Sequence, residues 1–358
     1  MDKSFYLDLA REGRPLPLIT HLVLHEKEDP ESILLDGERL AAVILEAAER
    51  LNNPMALPVM DLTLEKDILL QTIGVPADAT AAFHFDSVPD PELCAKVTAD
   101  MDVTTHPRIR ANCQALSTLR DGGKVVPVGM SIGPFSLLTK LVKDPIGAIF
   151  TAGGGVAPED DKEVALIHAV LGLAETVVEA NCAAQIKAGA RAIFLCEPAA
   201  NKVYFSPRQI RKGSTVYDEF VTEPNLRLKR LLDDNNVDLL FHDCGELIPE
   251  MVSSFGKLNP KLMSFGSSVK LWEVEQYIEK DVVIFGNLPT RKFYSNEEVP
   301  LEAIDGLVGE IAQKLGSTGH PFIVASECDV LSMPGYESTI MAKVNKMCSC
   351  RNRQLGCA

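Results

Sequence analysis

The sequence predicts a single (β/α)8 barrel with an N-terminal helical extension, and three observations carry that prediction. Eight short apolar runs recur along the chain. Segments of helical period lie between them. The length, 358 residues, accommodates one large barrel with a substantial core.

Residues 1–55 read as a helical extension that caps the barrel, with a polar, Pro-punctuated start and an amphipathic helix over Asp36–Leu51. The candidate strands follow: Leu57–Leu62, Ala81–Phe85, Val125–Met130, Ala190–Cys196, Val237–His242, Lys261–Phe265, Asp281–Phe285 and Pro321–Ala325. Lys162–Ala188 repeats apolar residues at helical spacing (Val164, Ile167, Leu171, Ala174, Val178), and Tyr217–Asp233 is of the same kind. His84 and His168 sit in apolar patterns and read as core or interface histidines. The barrel spans 56–342, and 343–358 reads as a tail carrying Cys348, Cys350 and Cys357. An open doubly wound sheet is the second choice, because no Gly-x-Gly-x-x-Gly follows the first strand. Gly153-Gly154-Gly155 lacks the Lys-Ser/Thr of a phosphate loop and reads as a connection. No repeat of solenoid or propeller period is present.

Composition narrows the function. Hydrophobic content of 46% with 24% charged residues is that of a globular protein. A formal charge of −15 argues against sequence-independent nucleic-acid binding, which needs a basic footprint. No apolar stretch is long enough to span a bilayer, and Met1-Asp2-Lys3-Ser4-Phe5 has no apolar signal core. The nine cysteines therefore read as reduced thiols of a cytoplasmic protein, a monomer or a homodimer, and are free to bind metal.

Metal binding has a specific candidate. Phe241-His242-Asp243-Cys244-Gly245 ends one apolar run, and Ser326-Glu327-Cys328-Asp329 ends another. In extended backbone, side chains two apart share a face, so His242 and Cys244 converge while Asp243 turns away. Imidazole and thiolate donors favour zinc over cations that want oxygen. With Cys328 the set has three protein ligands and one open position, the pattern of a catalytic zinc. The competing reading is that these cysteines are small core residues. Barrel active sites lie at the C-terminal strand ends, where His242, Cys244 and Cys328 all fall. Asp61, Glu197 and Asn287 end other strands and are candidates for substrate binding. Glu197 reads equally well as a rim carboxylate paired with an arginine, and Asn287 as a turn cap.

Three segments resemble the uroporphyrinogen decarboxylase superfamily: Gly129–Leu137 (Gly-Met-Ser-Ile-Gly-Pro-Phe-Ser-Leu), the His-x-Cys-Gly turn at 242–245, and Phe285-Gly286-Asn287-Leu288. The likeness runs from Leu57 to Leu331 and implies a (β/α)8 barrel. The His-x-Cys with a late Cys is similar to the corrinoid-dependent methyltransferase branch. That resemblance implies zinc held by His242, Cys244 and Cys328, a methylcorrinoid supplied by a partner corrinoid protein, and a small thiol acceptor such as coenzyme M. Decarboxylases of the superfamily carry an N-terminal Met-Arg-Gln-Ala-Gly-Arg segment, which Arg11-Glu12-Gly13-Arg14-Pro15 matches poorly. A metal-independent decarboxylase of the uroporphyrinogen type is the alternative. Two departures stand out. Pro289-Thr290 replaces the family's Asp-Pro, and Ser264–Ser268 offers no carboxylate beside the metal, which leaves Glu327, Glu197, or water and substrate for the fourth position.

Overall fold

The computed structural model describes residues 4–350. Its seven strands are β1 (Met55–Ala56), β2 (Val126–Ile132), β3 (Ala192–Cys196), β4 (Asp238–Asp243), β5 (Leu262–Phe265), β6 (Val283–Leu288) and β7 (Phe322–Ser326). Every neighbour pair is parallel, and the order in the sheet is the order in the chain. Strands joined this way by helices curl into the barrel architecture predicted above. β3 to β7 are buried at every position, which explains why they read as continuous apolar runs.

Alternation along the strands separates two cores. Phe194, Leu240, Leu262, Val283, Phe285, Ile323 and Ala325 cluster inside the barrel with Tyr6 and Leu9 of the helix Ser4–Arg11, which plugs it. Ile193, Leu195, Leu239, Phe241, Ile284 and Val324 pack outward on the helices. The helix Lys162–Ala188 matches the sequence reading. The helix Gly37–Arg50 starts where Asp36 accepts from the N–H groups of Glu38 and Arg39 at 3.1 Å each.

Two strand expectations fail. Ala81–Phe85 forms turns, with only an isolated bridge from Phe85 to Val142. Its Phe83–Phe85 alternation serves ring packing, edge to face at 5.2 Å, and no neighbour ladder forms. The first strand is Met55–Ala56 instead of Leu57–Leu62, because Pro58 has no N–H to give and the Leu57 carbonyl accepts the Thr20 hydroxyl at 2.7 Å.

The N-terminal segment enters the sheet region itself. Leu16 N–H donates to Val324 O at 2.9 Å, Val330 N–H donates to Leu18 O at 2.8 Å, and Leu18 bridges Asp329 in parallel. Leu16–Thr20 thus spans the gap between β7 and the residues following β1. His84 is exposed, contrary to its apolar surroundings in sequence, whereas His168 is half-buried against Phe220. Cys348 and Cys350 belong to and follow the last helix, Glu337–Ser349, and Cys357 lies outside the described residues.

Candidate metal centre

Strand register builds the centre. His242 continues the inward row of Leu240, and Ser264 that of Leu262, so both face the barrel interior at its C-terminal end. Cys244 follows β4 and Cys328 follows β7. The ligand atoms of His242, Cys244 and Cys328 all lie within 4.8 Å of one another. His242 and Cys328 are buried, and Cys244 is half-buried.

The imidazole is fixed from two sides. It stacks on Phe194 with 5.4 Å between centroids, and Nδ1 lies 2.9 Å from Ser264 Oγ. Nε2 is buried with no hydrogen-bond partner. A buried ring nitrogen without a partner carries a desolvation cost. A metal ion is a fitting partner, and the two nearby sulfurs complete a soft donor set.

The two thiols touch each other. A hydrogen bond from Cys244, helped by His242 and the Arg291 guanidinium, holds Cys328 well below the ordinary thiol range, although burial pushes the other way. The same bond and burial push Cys244 up. A dication bound between the two sulfurs would displace the protons they carry. Arg291 Nη2 stands 3.3 Å from Cys244 Sγ on the exposed side. Gly266 allows the β5 loop to pass close by, since a Cβ there would run into the Cys244 carbonyl.

The remaining candidates have other partners. Glu197 is fully buried and accepts from the N–H groups of Phe135 (3.2 Å) and Ser136 (2.8 Å) and from Asn225 Nδ2 (2.9 Å). It is held by the N-terminus of the helix Pro134–Leu141, where the sequence reading expected an arginine or substrate. Gly133 precedes that helix because a Cβ would fall inside the Glu197 carboxyl group. The Gly-Pro-Phe-Ser segment is thus a docking turn for a buried acid. Asp61 pairs with Arg108 at 3.1 Å and accepts from Thr63 N–H and Oγ1. Asn287 Nδ2 donates to Gly266 O and Val269 O, both at 2.7 Å, and fastens the loop after β5. Glu327 accepts from Ser267 and from Arg291 N–H. Neither Glu327 nor Glu197 joins the group that could hold a metal ion. Sequence reasoning missed Ser264 and Arg291; of these only Ser264 left a signal, its place two residues after an inward apolar position.

The model of the family described as uroporphyrinogen decarboxylase (URO-D) matches residues 19–346. The chain belongs to this family. Among curated proteins, a uroporphyrinogen decarboxylase from Cupriavidus metallidurans is 24% identical over 237 residues, which is 63% of this chain. The alignment spans 59% of that relative's length. Among solved structures, a methyltransferase from Methanosarcina mazei superposes with a TM-score of 0.66 at 17% identity, covering 96% of both chains. The superposition extends the likeness in fold to nearly the whole URO-D chain.

Proposed function

We propose that this URO-D family member is a zinc-dependent methyltransferase that moves a methyl group between a partner's corrinoid and a small thiol. The observation that carries the reading is the buried, partnerless Nε2 of His242 in one group with two sulfurs. The donor set fits zinc, with His242, Cys244 and Cys328 as the residues that would hold it. Bound there, zinc would keep an acceptor's sulfur as a nucleophilic thiolate at neutral pH.

The chain's own residues do the rest. With a metal on Nε2, the ring proton of His242 would sit on Nδ1, and Ser264 Oγ, 2.9 Å away, would accept it. Arg291 places a positive charge beside sulfurs that become more negative as the acceptor arrives. Phe194 and the buried β4 and β5 wall exclude water from one side of the imidazole. In the transfer, the acceptor's sulfur forms a bond to the methyl carbon. The carbon–cobalt bonding pair stays with the corrinoid, and the thiol proton leaves to solvent. The methyltransferase name of the Methanosarcina mazei structure agrees with this reading.

The test is direct. Purified protein with zinc and methylcobalamin should methylate at least one member of a thiol panel and should lose that activity in Cys328→Ser. The decarboxylase reading, suggested by the curated relative's name, requires no metal. Decarboxylation that survives Cys328→Ser, with no methyl transfer to any thiol, would replace the methyltransferase reading.

A further inference from the structure

Three protein donors leave a tetrahedral ion one ligand short. The two carboxylates that the sequence offered for the open position are engaged elsewhere: Glu327 with Ser267 and Arg291, Glu197 with a helix N-terminus. A different donor stands at the site. The thioether sulfur of Met60 lies 3.5 Å from Cys328 Sγ, although the two residues are 268 positions apart. Two sulfurs each about 2.3 Å from one tetrahedral zinc stand about 3.8 Å from each other. The separation in the protein is close to one edge of that tetrahedron.

We infer that Met60 is the fourth ligand of the resting metal centre and gives way to the acceptor's sulfur. The inference rests on the metal-binding reading above and names the occupant that reading left open. Its position is built in. Met60 follows β1, and its N–H donates to Asp329 Oδ2 at 3.1 Å. Asp329 is buried and adjacent to Cys328, so one carboxylate ties the two sulfur-bearing loops together. The Met60 side chain packs against the barrel's inner core and is half-buried.

The chemistry suits a displaceable ligand. A thioether is neutral and polarizable, so it joins a soft donor set without adding charge. A thiolate is anionic and a stronger donor, and exchange for it requires only a rotation of the flexible methionine side chain. While the thioether is in place, water is kept from the ion, and the centre does not generate the hydroxide of hydrolytic zinc sites.

X-ray absorption of the zinc-loaded full chain tests this by counting sulfurs. Wild type should show three sulfurs and one nitrogen. Met60→Leu, which conserves volume, should show two sulfurs, with a light atom replacing the third. Addition of mercaptoethanol should leave the count at three in wild type and raise it from two to three in the variant. Two sulfurs in resting wild type, rising to three with thiol, would overturn the inference and leave the metal site standing. Absence of bound zinc from both proteins would overturn the inference together with the reading beneath it.

Discussion

His242 and Ser264 occupy directly paired positions on β4 and β5, with Nδ1 and Oγ 2.9 Å apart. The hydroxyl is buried in the same inward row as the imidazole. It therefore holds Nδ1 and leaves Nε2 as the ring nitrogen without a protein partner.

Removing that hydroxyl should weaken the metal site without unfolding the barrel. Ser264→Ala is expected to lower zinc affinity by roughly 10- to 100-fold, read by competition with a chromophoric chelator. Ser264→Thr, which retains a hydroxyl, should recover most of it. Equal affinity in wild type and Ser264→Ala would show that the ring is held by Phe194 stacking alone.

Metal content follows from the ligand group. Wild type should carry close to one zinc per chain by elemental analysis, and Cys328→Ser should lose most of it. Full zinc in Cys328→Ser would remove Cys328 from the site and leave its proximity to His242 and Cys244 without a metal-binding role.

Gly133 and Glu197 make a paired prediction about stability. Gly133→Ala puts a methyl group where the Glu197 carboxyl lies. It should cost roughly 1–3 kcal/mol in urea unfolding, the usual penalty for overpacking. In a double-mutant cycle with Glu197→Ala the two changes should couple, because the second substitution removes the obstacle. Simple additivity would mean that the turn relaxes without touching the acid.

His21 gives the loop after β7 a pH dependence. Its Nδ1 accepts the Ser332 N–H at 2.9 Å, which requires an unprotonated ring. Burial, and then the charge of His25, lower its pKa from 6.5 to about 4. The folded value lies below the unfolded one, so the contribution is present above about pH 6.5 and fades as pH falls toward 4. Unfolding curves between pH 7 and 4 should show this loss. His21→Gln should remove that part of the slope; an unchanged slope would assign it to other groups.

The sequence by itself determined much of this protein. Apolar runs with β-branched residues placed β2 to β7 within a few positions, because strands buried on both faces leave a local mark. The two-residue spacing of His242 and Cys244 at a strand end likewise predicted their convergence, since the pleat is a local property. Ala81–Phe85 shows the limit of that logic: alternation states which side chains are apolar, and only a hydrogen-bonded neighbour makes a strand. What only the tertiary structure decided lies between distant segments. Closure placed Cys328 beside the β4 turn and Met60 beside Cys328, packing turned Glu197 onto a helix N-terminus, and β5 supplied Ser264 to His242. Ordinary residues such as Met60 and Leu16 carry no mark of their partners in sequence, because each partner is one that the chain reaches only when the sheet curls.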